Sequence, residues 1–383
     1  MHITHLKLRN WRNFREVDAP LHERTYLLGP NASGKSNLLD VFRFLRDISK
    51  ARGGGLLKAI EDRGGLGKLR CLHARTNPRV EIEVALGTGG GERPDWRYRL
   101  AFMKESRGQR RTLVAAEEIW KGDKQIVERP TKDDEADPDR LTQTYLEQIQ
   151  MNAEFRDLAK FLSNTTYLHL VPQLLKYDDI ISSQQLEDDP FGQGFLQRLA
   201  KLPEKTRNSR LKTIEKALSL AVPQFKELRF VQDPVSGRPH LEAQYAHHRP
   251  RAGWQREEQF SDGTLRLIGL LWSLLENDSL LLLEEPELSL NDAIVKEIPR
   301  IFQRVQRNSK SRRQLIISTH SEALLSNKGI DGRGVLMLEP GPEGTSVRPP
   351  NGDETLALEH GLSVAEVMLP KTKPERMGQM ELL

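Results

Sequence analysis

Cysteine is nearly missing from this sequence: Cys71 is the lone thiol in 383 residues. One thiol closes no internal disulfide and builds no cysteine-rich zinc site, which excludes disulfide scaffolds and zinc ribbons. Aromatic residues are scarce at 6%, so a core must be packed from Leu, Ile and Val. Long apolar runs are lacking as well. The most apolar stretch, Leu265 to Leu275, is broken by Arg266 and falls short of the roughly 20 residues that cross a bilayer. The opening MHITHLKLRN lacks the basic start and apolar run of a secretory signal. Neither sign of charge dominates: 58 basic residues face 54 acidic ones, for a net charge of +4. A soluble, reducing, cytoplasmic setting with no membrane partner is expected, and a polyanionic partner is permitted rather than demanded. With 37% hydrophobic and 29% charged residues, the chain can bury a core and is not wholesale disordered. Its length suits two to three domains at roughly 150 residues each, or one large domain with insertions.

The hydrophobic period changes along the chain. Ile3 to Leu8 reads as a strand, WRNF follows at Trp11 to Phe14, and Thr25 to Leu28 reads as a second strand. Leu38, Leu39, Val41, Phe42, Leu45 and Ile48 are spaced three and four apart, which predicts a helix over Asn37 to Ile48. A glycine-rich loop comes next. Val80 to Leu86 and Trp96 to Phe102 alternate with polar residues, and Leu113 to Trp120 continues them as an antiparallel meander. The acidic run Asp133 to Asp139 reads as a loop. Helical spacing then covers about Leu141 to Leu162 and Phe195 to Leu220, the second interrupted at Pro203. No heptad is sustained, so no long coiled coil is expected. From Thr264, a helix to Leu275, an apolar strand Leu280 to Leu283, a helix Asp292 to Val305 and a strand Leu315 to Ser318 predict a parallel sheet covered on both faces. Pro370 to Leu383 reads as a loose polar tail.

Four segments carry chemistry. GPNASGKS, comprising Gly29, Pro30, Asn31, Ala32, Ser33, Gly34, Lys35 and Ser36, lies between a strand and a helix that begins at Asn37. That is the context of a phosphate-binding loop. Its glycines let backbone N–H groups curl around a phosphate, Lys35 brings a point charge and Ser36 a hydroxyl for Mg2+. LLLLEEPELSL, from Leu280 to Leu290, buries four leucines and then delivers Glu284 and Glu285 together. Paired carboxylates at the end of such a strand can hold a hydrated Mg2+ and orient water for attack. Taken alone, they read equally well as a solvated loop. SDGTLR places Ser261, Asp262 and Gly263 at a helix start, which by itself is an ordinary N-cap. STHS places His320 just after a buried strand, where a lone histidine is more often structural.

Their order resembles that of an ABC-type ATPase, and within it the RecF/OLD/SMC branch, with NWRNF near residue 11, EEPE after the acidic strand and SDGTLR in place of LSGGQ. The resemblance spans Met1 to about Glu339 and implies an α/β P-loop ATPase: parallel core sheet, antiparallel β subdomain and helical insertion. The implied layout is residues 1–130 for the N-terminal ATPase lobe, 131–255 for the helical insertion, 256–350 for the C-terminal lobe and 351–383 for the tail. It implies ATP and Mg2+ as ligands, with Asn31, Gly34, Lys35 and Ser36 on phosphate and metal. It makes Glu285 the general base, His320 the switch histidine and Glu284 the metal-side acid. Ser261 and Gly263 would face the γ-phosphate of a partner protomer, closing a homodimer or higher homo-oligomer. Arg12 and Asn13 would approach the nucleotide, and Gln173 would sense the metal and its water.

The chain also departs from that pattern. Asn291-Asp292 stands where the family often has His-Pro, and Glu284 is longer than the usual aspartate. Of the 383 residues, 63 follow His320, too few for the metal-dependent nuclease domain of OLD-type proteins. The resemblance therefore implies an ATPase-only subunit, working in anti-phage defence or DNA repair beside a separately encoded nuclease or toxin effector. An ATP-locked scaffold that holds an effector is the alternative, and a transporter subunit a third. Arg107 to Arg111, Arg249 to Arg256 and Arg304 to Arg313 are basic enough to meet double-stranded DNA, though mixed surface charge explains them equally. His247 and His248 lack spaced partners for a metal.

Overall fold

A computed structural model describes residues 1–74, 77–88, 94–105, 110–176, 189–246, 253–307 and 312–372. The chain divides into two compact units. The first holds Met1–Thr165, Gln314–His320 and Asp331–Leu383, and the second holds Thr166–Arg313 and Ser321–Ile330.

In the first unit, strands β1 (His2–Trp11), β2 (Phe14–Pro20), β4 (Val80–Gly87), β5 (Trp96–Lys104), β6 (Thr112–Lys121) and β7 (Lys124–Arg129) form an antiparallel sheet in the order β2-β1-β4-β5-β6-β7. The period-2 alternation did this: Val80, Ile82, Val84 and Leu86 are fully buried while the residues between them stay half-exposed. Beside it, β3 (Arg24–Leu28) pairs in parallel with β13 (Leu315–Ser318) on one side and β14 (Val335–Gly341) on the other. The strand β15 (Gly344–Arg348) closes the edge as a hairpin with β14. Helix α1 (Lys35–Ser49) leaves the end of β3 and buries the predicted face, Leu38, Leu39, Val41, Phe42, Leu45 and Ile48, and the short helices α2 (Leu56–Glu61) and α3 (Leu66–Leu69) follow it. Phe44 packs on Trp11 and Phe102, with ring centroids 5.1 and 5.4 Å away. This uses three of the few aromatics to seat α1 on the antiparallel sheet.

Two local expectations need correction. The acidic run is not all loop: Lys132–Ala136 forms a helical turn, α4, because Thr131 and Asp134 cap each other's backbone. The helix expected over Leu141 to Leu162 shrinks to α5 (Arg156–Ser163), preceded by short 3-10 turns. A buried cluster claims the backbone there instead. Glu117 accepts from the N–H groups of Tyr145 and Leu146 at 2.7 and 3.1 Å and from Arg129 at 3.1 Å, and Arg129 also binds Asp134.

Glu147 sits at the edge of this cluster and accepts from the N–H of Leu56 at 2.6 Å, the first residue of α2 (Leu56–Glu61). Burial, reinforced by the nearby Glu117 carboxylate, pushes Glu147 up from 4.5 to about 7 against the pull of the Leu56 N–H. A raised folded-state pKa means the folded chain keeps a proton that the unfolded chain has lost. Stability is therefore full below about pH 4.5, falls as pH rises and levels off above about 7. The loss is on the order of 3 kcal/mol. Melting temperatures of wild type and Glu147→Gln should thus converge at low pH and separate in favour of Gln toward pH 8; parallel curves would refute it.

The second unit pairs β8 (Thr166–Leu168) in parallel with β12 (Leu281–Glu284). Leu280 to Leu283 are completely buried, each side chain contributing about 1.5–3 kcal/mol. Helices α6 (Pro172–Lys176), α7 (Phe195–Ala200), α8 (Glu204–Ala221), α9 (Asp262–Glu276), α10 (Asp292–Arg307) and α11 (Glu322–Leu325) belong to this unit. The expected break falls at Pro203, between α7 and α8. The region expected to be helical also contains an antiparallel sheet, β11 (Gln255–Arg256), β10 (Pro239–Tyr245) and β9 (Phe225–Gln232). Phe225, Leu228, Leu241 and Ala243 fill its inner face.

Arg313 corrects a further expectation. Placed by sequence in a basic surface segment, it is fully buried and donates to the carbonyls of Ser279 and Leu280 at 2.8 and 3.4 Å. Burial drives its guanidinium down to about 10. It ties its own stretch of chain to the residues just before β12 and is not available to a phosphate. Arg256 and Arg111 are likewise held, by Asp233 and Glu242 and by Glu105 and Asp139. The remainder of the three basic segments falls partly on 106–109, 247–252 and 308–311, outside the described residues, as do His247 and His248. The expected tail lies mostly outside them too, in 373–383, and the residues before it form α12 (Gly352–Glu359) and α13 (Val364–Val367) in the first unit.

Candidate functional site

In the first unit, β3 stops at Leu28 and the chain enters Gly29–Ser36. The loop's shape is set by two glycines with no room for a side chain. A Cβ on Gly29 would lie 2.6 Å from the Leu338 carbonyl, and one on Gly34 would lie 2.2 Å from Asn13 Nδ2. Gly34 is also in the left-handed region at φ +97°, where β-carbons are disfavoured. It serves as the N-cap of α1 and leaves that terminus without a side-chain cap or an acidic first turn. The positive helix end, with no side-chain cap upon it, is therefore where an anion would bind. Lys35 is nearly buried and curls back, donating from Nζ to the carbonyls of Gly29 and Pro30 at 3.0 and 3.1 Å. The buried Ser33 and Ser318 hydroxyls have no partner among the described residues. A cradle with an uncapped helix end, an inward lysine and orphaned hydroxyls fits a nucleotide polyphosphate with Mg2+.

Asn13 buttresses this loop. Its Nδ2 donates to the Ser33 carbonyl at 2.9 Å and to Thr345 Oγ1 at 2.8 Å, and its Oδ1 accepts from Asn37 at 2.8 Å. Arg12, in the left-handed region at φ +49°, turns to Asp40 on α1 at 2.5 Å. Arg63 reaches the same carboxylate at 3.0 Å. Burial alone would raise Asp40, but Arg63, then Arg12 and Arg43, outweigh it and hold the carboxyl below its ordinary range. Arg12, Asn13, Asn37, Lys68, Arg70, Leu72 and His73 line a cleft of about 420 Å³ beside the loop. The first unit also carries His320. The register Ser318↔Leu27 of β13 with β3 brings the residues after Ser318 level with the start of the loop.

The second unit gathers the acidic pair with the SDGTLR segment. Glu284 ends β12 and hydrogen-bonds the Tyr167 hydroxyl from β8. Glu285 stands at φ +45°, a strained conformation for a side chain of its size, and its carbonyl accepts from Arg266 at 3.5 Å. Ser261 caps α9 through Thr264 N–H at 3.1 Å. Gly263 lies so close to the turn after the acidic strand that a Cβ would meet the Ser289 carbonyl at 2.8 Å. Asp262 accepts from Gln173 Nε2 at 2.6 Å and from Lys176 Nζ at 2.7 Å. Gln173, expected to sense a metal, is thus engaged on the helix start.

Sequence reasoning missed Asp40, Thr345, Tyr167 and Lys176. Asp40 had a signal, an acid inside the apolar run Leu38 to Phe42. The others hold their partners across long separations and left none.

A family profile described as "AAA domain, putative AbiEii toxin, Type IV TA system" matches residues 24–326. The DNA replication and repair protein RecF of Roseiflexus castenholzii is 36% identical over 94 residues, 22% of this chain and 24% of that protein. RecF of Chloroflexus aggregans is 50% identical over 53 residues, 14% of each chain. The matched stretches therefore span a quarter or less of those relatives. A solved SMC head bound to the C-winged helix domain of ScpA aligns with TM-score 0.56 and 15% identity, covering 92% of this chain and 99% of its own. The SMC head domain from Thermotoga maritima aligns at 0.50 and 14%, covering 92% and 100%. The fold is that of an SMC-type ATPase head.

Proposed function

We propose, for a chain that belongs to the AbiEii-type AAA-domain family and to the RecF/SMC branch of ABC-type ATPases, an ATP-hydrolysing switch that closes a homodimer around two nucleotides. The observation that carries this is the uncapped start of α1, with Gly34 pressed on Asn13 and Lys35 folded over the loop. Backbone N–H groups of Asn31 to Ser36 would bind the polyphosphate, and Lys35 would exchange its two carbonyl partners for phosphate oxygens. Leu72, 89% exposed at the cleft beside the loop, offers an apolar wall to a base. Ser36 in the first unit would offer its hydroxyl to Mg2+, and in the second unit Glu284 would be the metal-side acid with Gln173 as sensor; the ion would supply charge neutralisation on phosphate. Glu285 takes the proton of the attacking water, and His320 registers the γ-phosphate. Ser261 and Gly263 act on the partner protomer's nucleotide, so hydrolysis reopens the pair.

The setting we infer is anti-phage defence or DNA repair, with a separate nuclease or toxin as effector and duplex DNA as a candidate trigger. The toxin–antitoxin wording of the family and the repair role named for the RecF relatives support it. The test is steady-state ATP turnover with and without linear duplex DNA. A several-fold rise with DNA is expected. Turnover that ignores DNA would refute the DNA trigger and favour an ATP-locked scaffold awaiting a protein partner.

A further inference from the structure

We propose that His240, Glu257 and Glu258 form a binding site for a divalent transition ion of the zinc class, apart from the nucleotide. One nitrogen and two carboxylate oxygens of these residues lie within 4.8 Å of one another. His240 and Glu257 are buried, and Glu258 is exposed beside them. His240 Nδ1 and Glu257 Oε1 share a hydrogen bond at 2.8 Å, so these two donors already converge and an ion would take the place of the proton between them. The other Glu257 oxygen accepts from the Leu241 N–H at 2.8 Å, which fixes the carboxylate as ligating groups are usually fixed.

The local charge is out of balance. Glu257 pairs with the His240 imidazole, Glu258 lies within 4.8 Å of both, and no lysine or arginine among the described residues pairs with either carboxylate. The nearest cation in sequence, Arg256, turns away to Asp233 and Glu242. A divalent ion would supply the missing positive charge. One imidazole with two carboxylates is a borderline donor set that suits zinc, with water completing the shell. The ligands come from β10 and from the 3-10 turn Glu257–Gln259 that leads into Ser261. The ion would therefore clamp β10 to the turn that delivers the start of α9.

The experiment uses the full chain, stripped with a chelator and titrated with Co2+ as a visible probe, followed by Zn2+ displacement and elemental analysis. One Co2+ per chain with tetrahedral absorption, displaced by Zn2+, is expected. Glu258→Gln, on an exposed side chain, should weaken binding by at least roughly tenfold, and His240→Ala should abolish it. Lys35→Ala should leave it unchanged, which separates this site from the phosphate loop. Absence of saturable Co2+ binding, or wild-type binding by Glu258→Gln, would overturn the proposal.

Discussion

Replacing Lys35 by Ala should lower ATP affinity by about 100-fold or more, close to 3 kcal/mol. The ammonium sits nearly buried at the head of α1, a helix start that no side chain caps. Its Nζ donates to the carbonyls of Gly29 and Pro30. Removing it takes the full positive charge from the site and leaves only partial charges of the helix end. The fold should tolerate the change with a modest loss of stability, because the Pro30 carbonyl is partly open to water while the buried Gly29 carbonyl loses a partner. Calorimetric ATP titration and a melting curve on the same sample check both halves. Normal affinity would mean that Lys35 only staples its own loop.

Glu285→Gln should lower ATP turnover by roughly 100-fold or more while leaving ATP binding near wild type. Gln keeps the size and the left-handed backbone at φ +45°, and the Arg266 contact is to the backbone carbonyl. What is lost is the ability to accept a proton from water. Single-turnover kinetics separate this from a binding defect. Unimpaired hydrolysis would remove Glu285 as the base and turn attention to Glu284, whose carboxylate is engaged by Tyr167.

Much of this was legible in the sequence because it is local. The strand–loop–helix around Lys35, the leucine strand before Glu284 and the break at Pro203 are each written in consecutive residues, and the structure places them within a residue or two. The failures are tertiary. Leu141 to Leu162 carries helical spacing, yet buried Glu117 takes the N–H groups of Tyr145 and Leu146, so packing overrides propensity. Arg313 looks like surface charge in sequence but is completely enclosed among carbonyls. The sheet of β9 to β11 escaped because Lys226, Glu227 and Arg229 dilute its apolar alternation. The supports of the loop, Thr345 to Asn13 above all, bridge more than 300 residues, beyond the reach of spacing rules.

The most direct test of an ATP-driven switch is the mass of Glu285→Gln in solution, measured by light scattering with and without Mg-ATP. A single-chain mass without nucleotide that doubles with ATP, and fails to double when Ser261→Arg is added, is the predicted result. A mass unchanged by ATP, in a sample that binds it, would contradict the account.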